Sequence, residues 1–200
     1  PWILYFGGNA TALDGSVSIL ERIRGDADLG LAVFAYRGYD GSEGRPTQRR
    51  LTADGVAAAR QVAELAGGPE RVVLVGQSLG SGVATQVAAI LQEQGRPAGA
   101  LVLVSPFIEV PAVAHDAVGC APVCLFPDPW RTLRRAPDLR LPALVLHGTK
   151  DTIIPHEHGK TVAAAIPGAR FVPIEGRDHN DMWTGEAAEV VRRFVLDAAR

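Results

Sequence analysis

The sequence lacks most of the features that mark membrane-spanning, metal-binding and nucleic-acid-binding proteins. No apolar run approaches the roughly 18–20 residues that a membrane-spanning helix needs. A formal net charge of -2 gives no field strong enough to recruit nucleic acid or anionic lipid. The chain has two cysteines, Cys120 and Cys124, which form a C-x3-C pair. Without further cysteines or a nearby histidine cluster, such a pair is a poor zinc signature. We therefore expect no metal and no nucleic-acid partner.

The same two cysteines are interpreted as reduced thiols, with a disulfide as the alternative in an oxidising compartment. A hydrophobic share of 47% and a charged share of 21% are close to globular averages and exclude a disordered or fibrous chain. Two hundred residues suit one domain, so we expect a single domain over residues 1–200. The chain begins at Pro1, without an initiator methionine, and directly with the strand-like run WILYF. We expect further residues upstream, where a targeting or anchoring segment could lie, and localisation and oligomeric state stay open.

Short apolar runs alternate with amphipathic stretches along the chain. The runs are continuous, as is typical of parallel strands that are covered on both faces. Strands are predicted over residues 3–6, 31–36, 72–75, 101–105, 143–147 and 171–174. Helices are predicted over residues 14–23, 52–66, 82–94, 158–166 and 186–199. Because parallel strands need crossover helices, this alternation predicts a mostly parallel, doubly wound α/β fold.

Residues 107–141 interrupt this alternation. The segment is rich in proline and aromatic residues and lies between two predicted strands. A connection of this length in a compact domain is usually a functional excursion, so we predict a short lid.

The stretch GQSLGSG, residues 76–82, lies between a predicted strand and a predicted helix. Open α/β sheets bind their ligands at the carboxyl ends of strands. A serine in a strained turn there needs small neighbours two positions away, which Gly76 and Gly80 supply. A phosphate-binding loop would need a lysine at its end or G-x-G-x-x-G after the first strand, and neither is present. We therefore predict Ser78 as a nucleophile and the N–H of Leu79 as an oxyanion donor.

A serine nucleophile needs a general base and a carboxylate that orients the base. Among five histidines, His179 lies in the polar loop EGRDHND at the same sheet edge as the serine and is the predicted base. Asp151 follows a strand in HGTKDTIIP and is the predicted acid, with Asp128 as a weaker alternative. Asp178 lies too close in sequence to orient the base easily. We interpret His147, at the end of a predicted strand, as structural.

The stretch YFGGNAT follows the first predicted strand, where a second oxyanion donor should lie. Gly7 and Gly8 let the backbone approach a substrate, and the N–H of Asn9 is the predicted donor. A plain Gly-Gly turn is the alternative interpretation.

With these residues in this order, the chain resembles the alpha/beta-hydrolase superfamily across essentially its whole length. More narrowly, it resembles the serine hydrolases grouped with the bud-emergence-related proteins, acyl-protein depalmitoylases and serine aminopeptidase-like enzymes. The stretches that carry the resemblance are FGGNA, AYRGYDGSEGRPT, GQSLGSGVA, LHGTKDTIIPHEHG and GRDHND. The resemblance implies a triad of Ser78, Asp151 and His179, and it implies no metal or organic cofactor.

The chain departs from the family pattern in two places. The family's oxyanion loop usually reads His-Gly-Asn, and here Gly7 replaces the histidine, so we expect a more mobile loop and an altered acyl pocket. The fold usually has two further strands before the first one predicted here, so we expect that N-terminal strands are missing. Relatives often carry a membrane anchor there, and membrane association is expected only through such a segment.

The expected function is that of a serine hydrolase that cleaves ester or thioester bonds in a small-molecule or acylated substrate. The apolar lid residues predict an apolar acyl or alkyl group; they are Phe107, Val113, Leu125, Phe126 and Trp130. We predict Gly8, Phe107 and Trp130 as substrate-binding residues.

Two other functions stay open. A serine aminopeptidase-like enzyme would need an acidic pocket for the substrate amine, to which Glu109 and Asp116 could contribute. A non-catalytic binding protein on a hydrolase scaffold would usually have lost a member of the triad.

Overall fold

A computed structural model describes residues 1–9, 11–119 and 126–198, and these contain one sheet of six parallel strands. The strands are β1 (Trp2–Phe6), β2 (Gly30–Phe34), β3 (Val72–Gln77), β4 (Ala100–Val104), β5 (Ala143–Gly148) and β6 (Arg170–Ile174). Their order across the sheet is β2-β1-β3-β4-β5-β6. Strand β1 thus lies inside the sheet, with β2 on one side of it and β3 to β6 in sequence order on the other. This arrangement confirms the predicted doubly wound α/β fold.

Helices cover both faces of the sheet. They are α1 (Leu13–Arg24), α2 (Gln48–Ala66), α3 (Leu79–Glu93), α4 (Val110–Val118), α5 (His156–Ala165) and α6 (Gly185–Ala198). Buried residues of α1 and α6 pack on one face, and those of α2, α3 and α5 pack on the other. Side chains of each strand therefore alternate between two apolar environments, which explains why the strands read as continuous apolar runs.

Several element boundaries differ from those predicted. Helix α2 starts four residues before position 52, because the side chain of Thr47 caps it by accepting a hydrogen bond from the N–H of Arg50. Helix α3 begins at Leu79 rather than at position 82, so its first N–H groups adjoin Ser78. The strand predicted over 31–36 ends at Phe34. The predicted end of the last helix, Ala199, lies outside the described residues.

The 107–141 segment contains regular structure that was not predicted. Helix α4 has Pro111 in its first turn and ends at Val118, followed by the C-cap Gly119, whose φ of 76° favours glycine. Among the described residues of the segment that follow α4, Thr132–Arg134 and Ala136–Asp138 form short 3₁₀ turns. Cys120, Cys124 and Leu125 lie outside the described residues. Within the described ranges, no helix combines the length and the apolar character that a membrane crossing requires.

Candidate active site

Ser78 occupies a sharp turn between β3 and α3. Its φ of 52° and ψ of -119° are unfavourable for a residue with a side chain. The turn is fixed by the Ser78 N–H, which donates to the carbonyl of Val104 at 3.0 Å. A Cβ on Gly76 would lie closer than 3.0 Å to the carbonyl of Gly80, and a Cβ on Gly80 would lie closer still to the carbonyl of Phe6. Close packing of β1, β3 and α3 therefore requires both glycines.

The structure brings Ser78, His179 and Asp151 into one chain of hydrogen bonds. Nε2 of His179 lies 3.0 Å from Oγ of Ser78, and Nδ1 lies 2.8 Å from Oδ2 of Asp151. The residues follow β3, β6 and β5, whose carboxyl ends meet at one edge of the sheet. Because a carboxylate only accepts, Nδ1 carries the proton and Nε2 is free to accept the serine proton.

Asp151 is enclosed by donors. Its side chain is fully buried, and Oδ1 accepts hydrogen bonds from the N–H groups of Ile153 at 3.0 Å and Ile154 at 2.8 Å. Burial tends to raise the pKa of a carboxyl group. Here hydrogen bonds from His147, His179 and the Ile154 N–H outweigh burial, and the pKa of Asp151 lies well below its usual range. Asp151 is therefore a carboxylate across the neutral pH range.

Asp178 joins the loop that carries Asp151 to the loop that carries His179. Its Oδ1 accepts from the N–H of Thr152 at 2.7 Å, from the hydroxyl of Thr152 at 2.8 Å and from the N–H of His179 at 2.7 Å. These bonds, above all that from the Thr152 N–H, lower the pKa of Asp178. Asp181 completes a capping box by accepting the N–H of Asp178 at 2.6 Å. The D-H-N-D pattern was the signal for this cap, which the sequence analysis missed.

Asn9 and Leu79 both lie beside Ser78. All three line the same cleft, on segments that follow β1 and β3. Gly8 is buried next to the nucleophile, where a Cβ on it would lie 3.5 Å from Cβ of Ser78. The predicted oxyanion segment thus adjoins the serine, although Gly8 does not itself line the cleft.

Two tyrosines from the AYRGYDGSEGRPT stretch hold this oxyanion segment. The Tyr36 hydroxyl donates to the carbonyl of Gly7 at 2.8 Å, and the Tyr39 hydroxyl donates to Oδ1 of Asn9 at 2.7 Å. These two hydrogen bonds restrain the segment of Gly7 and Asn9, for which the sequence predicted a more mobile loop. The same stretch contributes Arg37, whose guanidinium forms two 2.6 Å hydrogen bonds with Asp54 on α2.

A second polar link connects the nucleophile turn with the segment after His179. Oε1 of Gln77 accepts from the Tyr5 hydroxyl and from the Trp183 indole N–H, both at 2.6 Å. Burial raises the pKa of Tyr5, which keeps this phenol protonated as a donor. No local sequence pattern indicated this contact, because its three members are far apart in the chain.

A largely apolar cleft of about 700 Å³ opens over Ser78. The predicted residues Phe107 and Trp130 line it. Apolar residues of α4 and of the acid loop, which is residues 149–155 between β5 and α5, line it as well; these include Val113, Ala114, Ile153 and Ile154. Phe126 is not among the lining residues. Asp128 also lines the cleft, but its Oδ1 accepts the N–H of Gln48 at 2.9 Å. Asp151, and not Asp128, is the carboxylate next to the imidazole of His179.

Comparison with known families agrees with this fold. The alpha/beta hydrolase fold family matches residues 1–134, and the TAP-like protein family matches residues 106–200. Since the first match covers more than half of the chain, the protein belongs to the alpha/beta hydrolase fold family.

Two relatives show how much of the chain is shared with other proteins. Uncharacterized protein Rv2307c of Mycobacterium tuberculosis is 34% identical over 209 residues, which cover 100% of this chain and 71% of that protein. Lysophosphatidylserine lipase ABHD12 of Danio rerio is 31% identical over 175 residues. That match covers 80% of this chain but only 46% of the lipase, so the chain spans about half the length of this relative.

The solved structure of Est1E from Butyrivibrio proteoclasticus with ferulic acid bound superimposes with a TM-score of 0.78. It is 18% identical, and the match covers 99% of this chain and 89% of that chain. At this level of identity, the likeness shows the shared fold.

Proposed function

We propose that the protein is a serine hydrolase that cleaves ester or thioester bonds through an acyl-enzyme intermediate on Ser78. The observation that carries this proposal is the hydrogen-bond chain from Ser78 through His179 to Asp151, with distances of 3.0 and 2.8 Å, beneath an apolar cleft. A structural serine in a turn has no need of a buried imidazole and carboxylate aligned on its hydroxyl.

The geometry supports a two-step reaction. As Oγ of Ser78 attacks the acyl carbon, Nε2 of His179 takes its proton and Asp151 stabilises the resulting imidazolium. The backbone N–H groups of Leu79 and Asn9 are the proposed donors to the oxyanion. The attack forms a tetrahedral intermediate that carries this oxyanion. Its collapse expels the alcohol or thiol, which takes the proton from the imidazolium. Water, deprotonated by His179, then attacks the acyl-enzyme and releases the acid and the serine.

Labelling with a fluorophosphonate tests the nucleophile directly. We expect intact-mass analysis to show one phosphonyl adduct per chain, because Oγ displaces fluoride only when its proton is accepted. Ser78→Ala should abolish the adduct, and Ser18→Ala, an exposed serine on α1, should retain it. An unlabelled, folded parent chain, or an adduct that persists in Ser78→Ala, would contradict the proposal.

The lining of the cleft supports an apolar acyl or alkyl group in the substrate. We expect kcat/KM for p-nitrophenyl esters to rise with acyl length by about fourfold for each added methylene until the cleft is filled. Ala114→Trp should reduce the ratio of long-chain to short-chain activity by about tenfold, because the indole would occupy the cleft. Ala112→Trp on the same helix is the matched control, since Ala112 lines a different cavity. A preference for polar acyl groups would contradict this assignment.

The acidic residues considered for a peptidase do not line the cleft over Ser78. Glu109 lies 3.4 Å from the guanidinium of Arg131, and Asp116 accepts from His158 at 2.8 Å. Both acids line a separate cavity next to α4. This arrangement favours an ester or thioester substrate over a peptide with a free amino terminus.

A further inference from the structure

We propose that His147 is a positioning residue, which shares its Nε2 proton between the Ile154 carbonyl and the Asp151 carboxylate and thereby sets how Asp151 holds His179. The inference rests on the proposed role of Asp151. It assigns to His147 an effect on the reaction that its position at the end of β5 did not suggest.

The surroundings of His147 fix the position of its proton. The side chain is fully buried, and Nε2 lies 2.9 Å from the Ile154 carbonyl oxygen and 3.2 Å from Oδ2 of Asp151. Because both oxygens only accept, Nε2 carries the proton. Nδ1 has no hydrogen-bond partner among the described residues, so a second proton there would lack an acceptor. The geometry therefore holds one tautomer, which presents its N–H to the acid loop.

Helix α5 packs against the ring of His147. A Cβ on Gly159 would lie closer than 3.0 Å to the His147 ring, so this glycine lets the helix backbone close over Nδ1. The ring of His156, also on α5, lies edge-on at a centroid distance of 5.6 Å. The titratable groups identified around His147 are thus Asp151 on the acid loop and His156 on the helix, with His179 reached through Asp151.

This arrangement gives the two oxygens of Asp151 different roles. Oδ1 is held by two backbone N–H groups, and Oδ2 lies between two imidazoles, those of His147 and His179. A second donor on Oδ2 restrains the carboxylate and withdraws part of its charge from the bond to His179. Loss of the donor should therefore misalign His179 and leave a stronger attraction for its protonated form. Acylation should slow, and its pH profile should move to higher pH.

Two substitutions at His147 distinguish the contribution of its N–H donor from that of its aromatic ring. His147→Phe keeps an aromatic ring but removes the N–H, and His147→Gln keeps an amide N–H donor but removes the ring. His115→Phe, at an exposed histidine, is the control. For each protein we would measure fluorophosphonate labelling rates from about pH 5 to 9, the His179 titration by NMR and the thermal midpoint. We expect His147→Phe to label about tenfold more slowly than the parent. The pH midpoints of its labelling profile and of its His179 titration should both be about half a pH unit higher. His147→Gln should label within about threefold of the parent rate, and its pH midpoints should equal those of the parent.

The outcomes distinguish this inference from the proposed function. Equal slowing in both variants, or a lower thermal midpoint in His147→Phe without any movement of the pH midpoints, would show a structural role only and overturn the inference. If His147→Phe does not fold, His147→Leu takes its place as the variant without the N–H donor: a pH midpoint higher than that of the parent supports the inference, and an unmoved pH midpoint overturns it. A parent chain that does not label contradicts the proposed function alone, because the NMR titration of His179 still reports on the His147–Asp151 contact.

Discussion

Replacing His179 by alanine is expected to slow acylation of Ser78 by about four to six orders of magnitude at neutral pH. Nε2 of His179 lies 3.0 Å from the serine hydroxyl, and the structure places no other imidazole in hydrogen-bond contact with that hydroxyl among the described residues. Without the imidazole, the alcohol must lose its proton to water while it attacks. The measurement is the rate of fluorophosphonate labelling, with hydrolysis of a short p-nitrophenyl ester as a second assay.

The control for this variant is His115→Ala, because His115 is an exposed histidine on α4 that does not line the cleft. It should label at the parent rate. Circular dichroism should show that His179→Ala remains folded, since the nearby Asp178 and Asp181 keep the backbone of this loop capped. A labelling rate within about tenfold of the parent would show that another group accepts the proton, and it would remove His179 from the mechanism.

The sequence was sufficient to predict which strand ends meet in the candidate site. In a parallel sheet all carboxyl ends lie at one edge, so a serine after β3, an aspartate after β5 and a histidine after β6 lie at the same edge whatever the exact boundaries are. The alternation of apolar runs and helices predicts this shared edge, whereas the strand order and the paths of the loops after β5 and β6 bring the three side chains into contact. Their catalytic roles remain predictions until labelling is measured.

The supporting contacts could not be predicted in the same way. In the sequence, His147 is indistinguishable from an ordinary buried strand residue. It contacts Asp151 only because the path of the acid loop brings the carbonyl of Ile154 next to its Nε2. Asp178 was considered only as an acid, although it accepts backbone donors from both loops. Helix α4 was missed because the proline-rich composition of its segment outweighed a short helical run. Such contacts depend on loop paths, and loop paths have no period that a sequence pattern can show.

Gly80→Ala is expected to destabilise the protein by about 3 kcal/mol or more, and to lower its thermal midpoint by roughly 6–12 °C. A Cβ at this position would lie closer than 3.0 Å to the carbonyl groups of both Phe6 and Gly7. Backbone atoms cannot rotate away as a long side chain can, so α3 would have to move off the end of β1. Thermal and urea unfolding followed by circular dichroism measure the loss.

The matched control is Gly185→Ala at the start of α6, where an added Cβ meets no heavy atom within 4 Å. Its stability should stay within about 0.5 kcal/mol of the parent, because alanine favours a helix and fills open space. Displacement of α3 in Gly80→Ala would also separate Leu79 from the segment of Gly7 and Asn9, so labelling of the folded fraction should slow as well. Parent-like stability in Gly80→Ala would mean that β1 and α3 do not approach as closely as the structure shows, and the proposed pairing of oxyanion donors from these two segments would lose its basis.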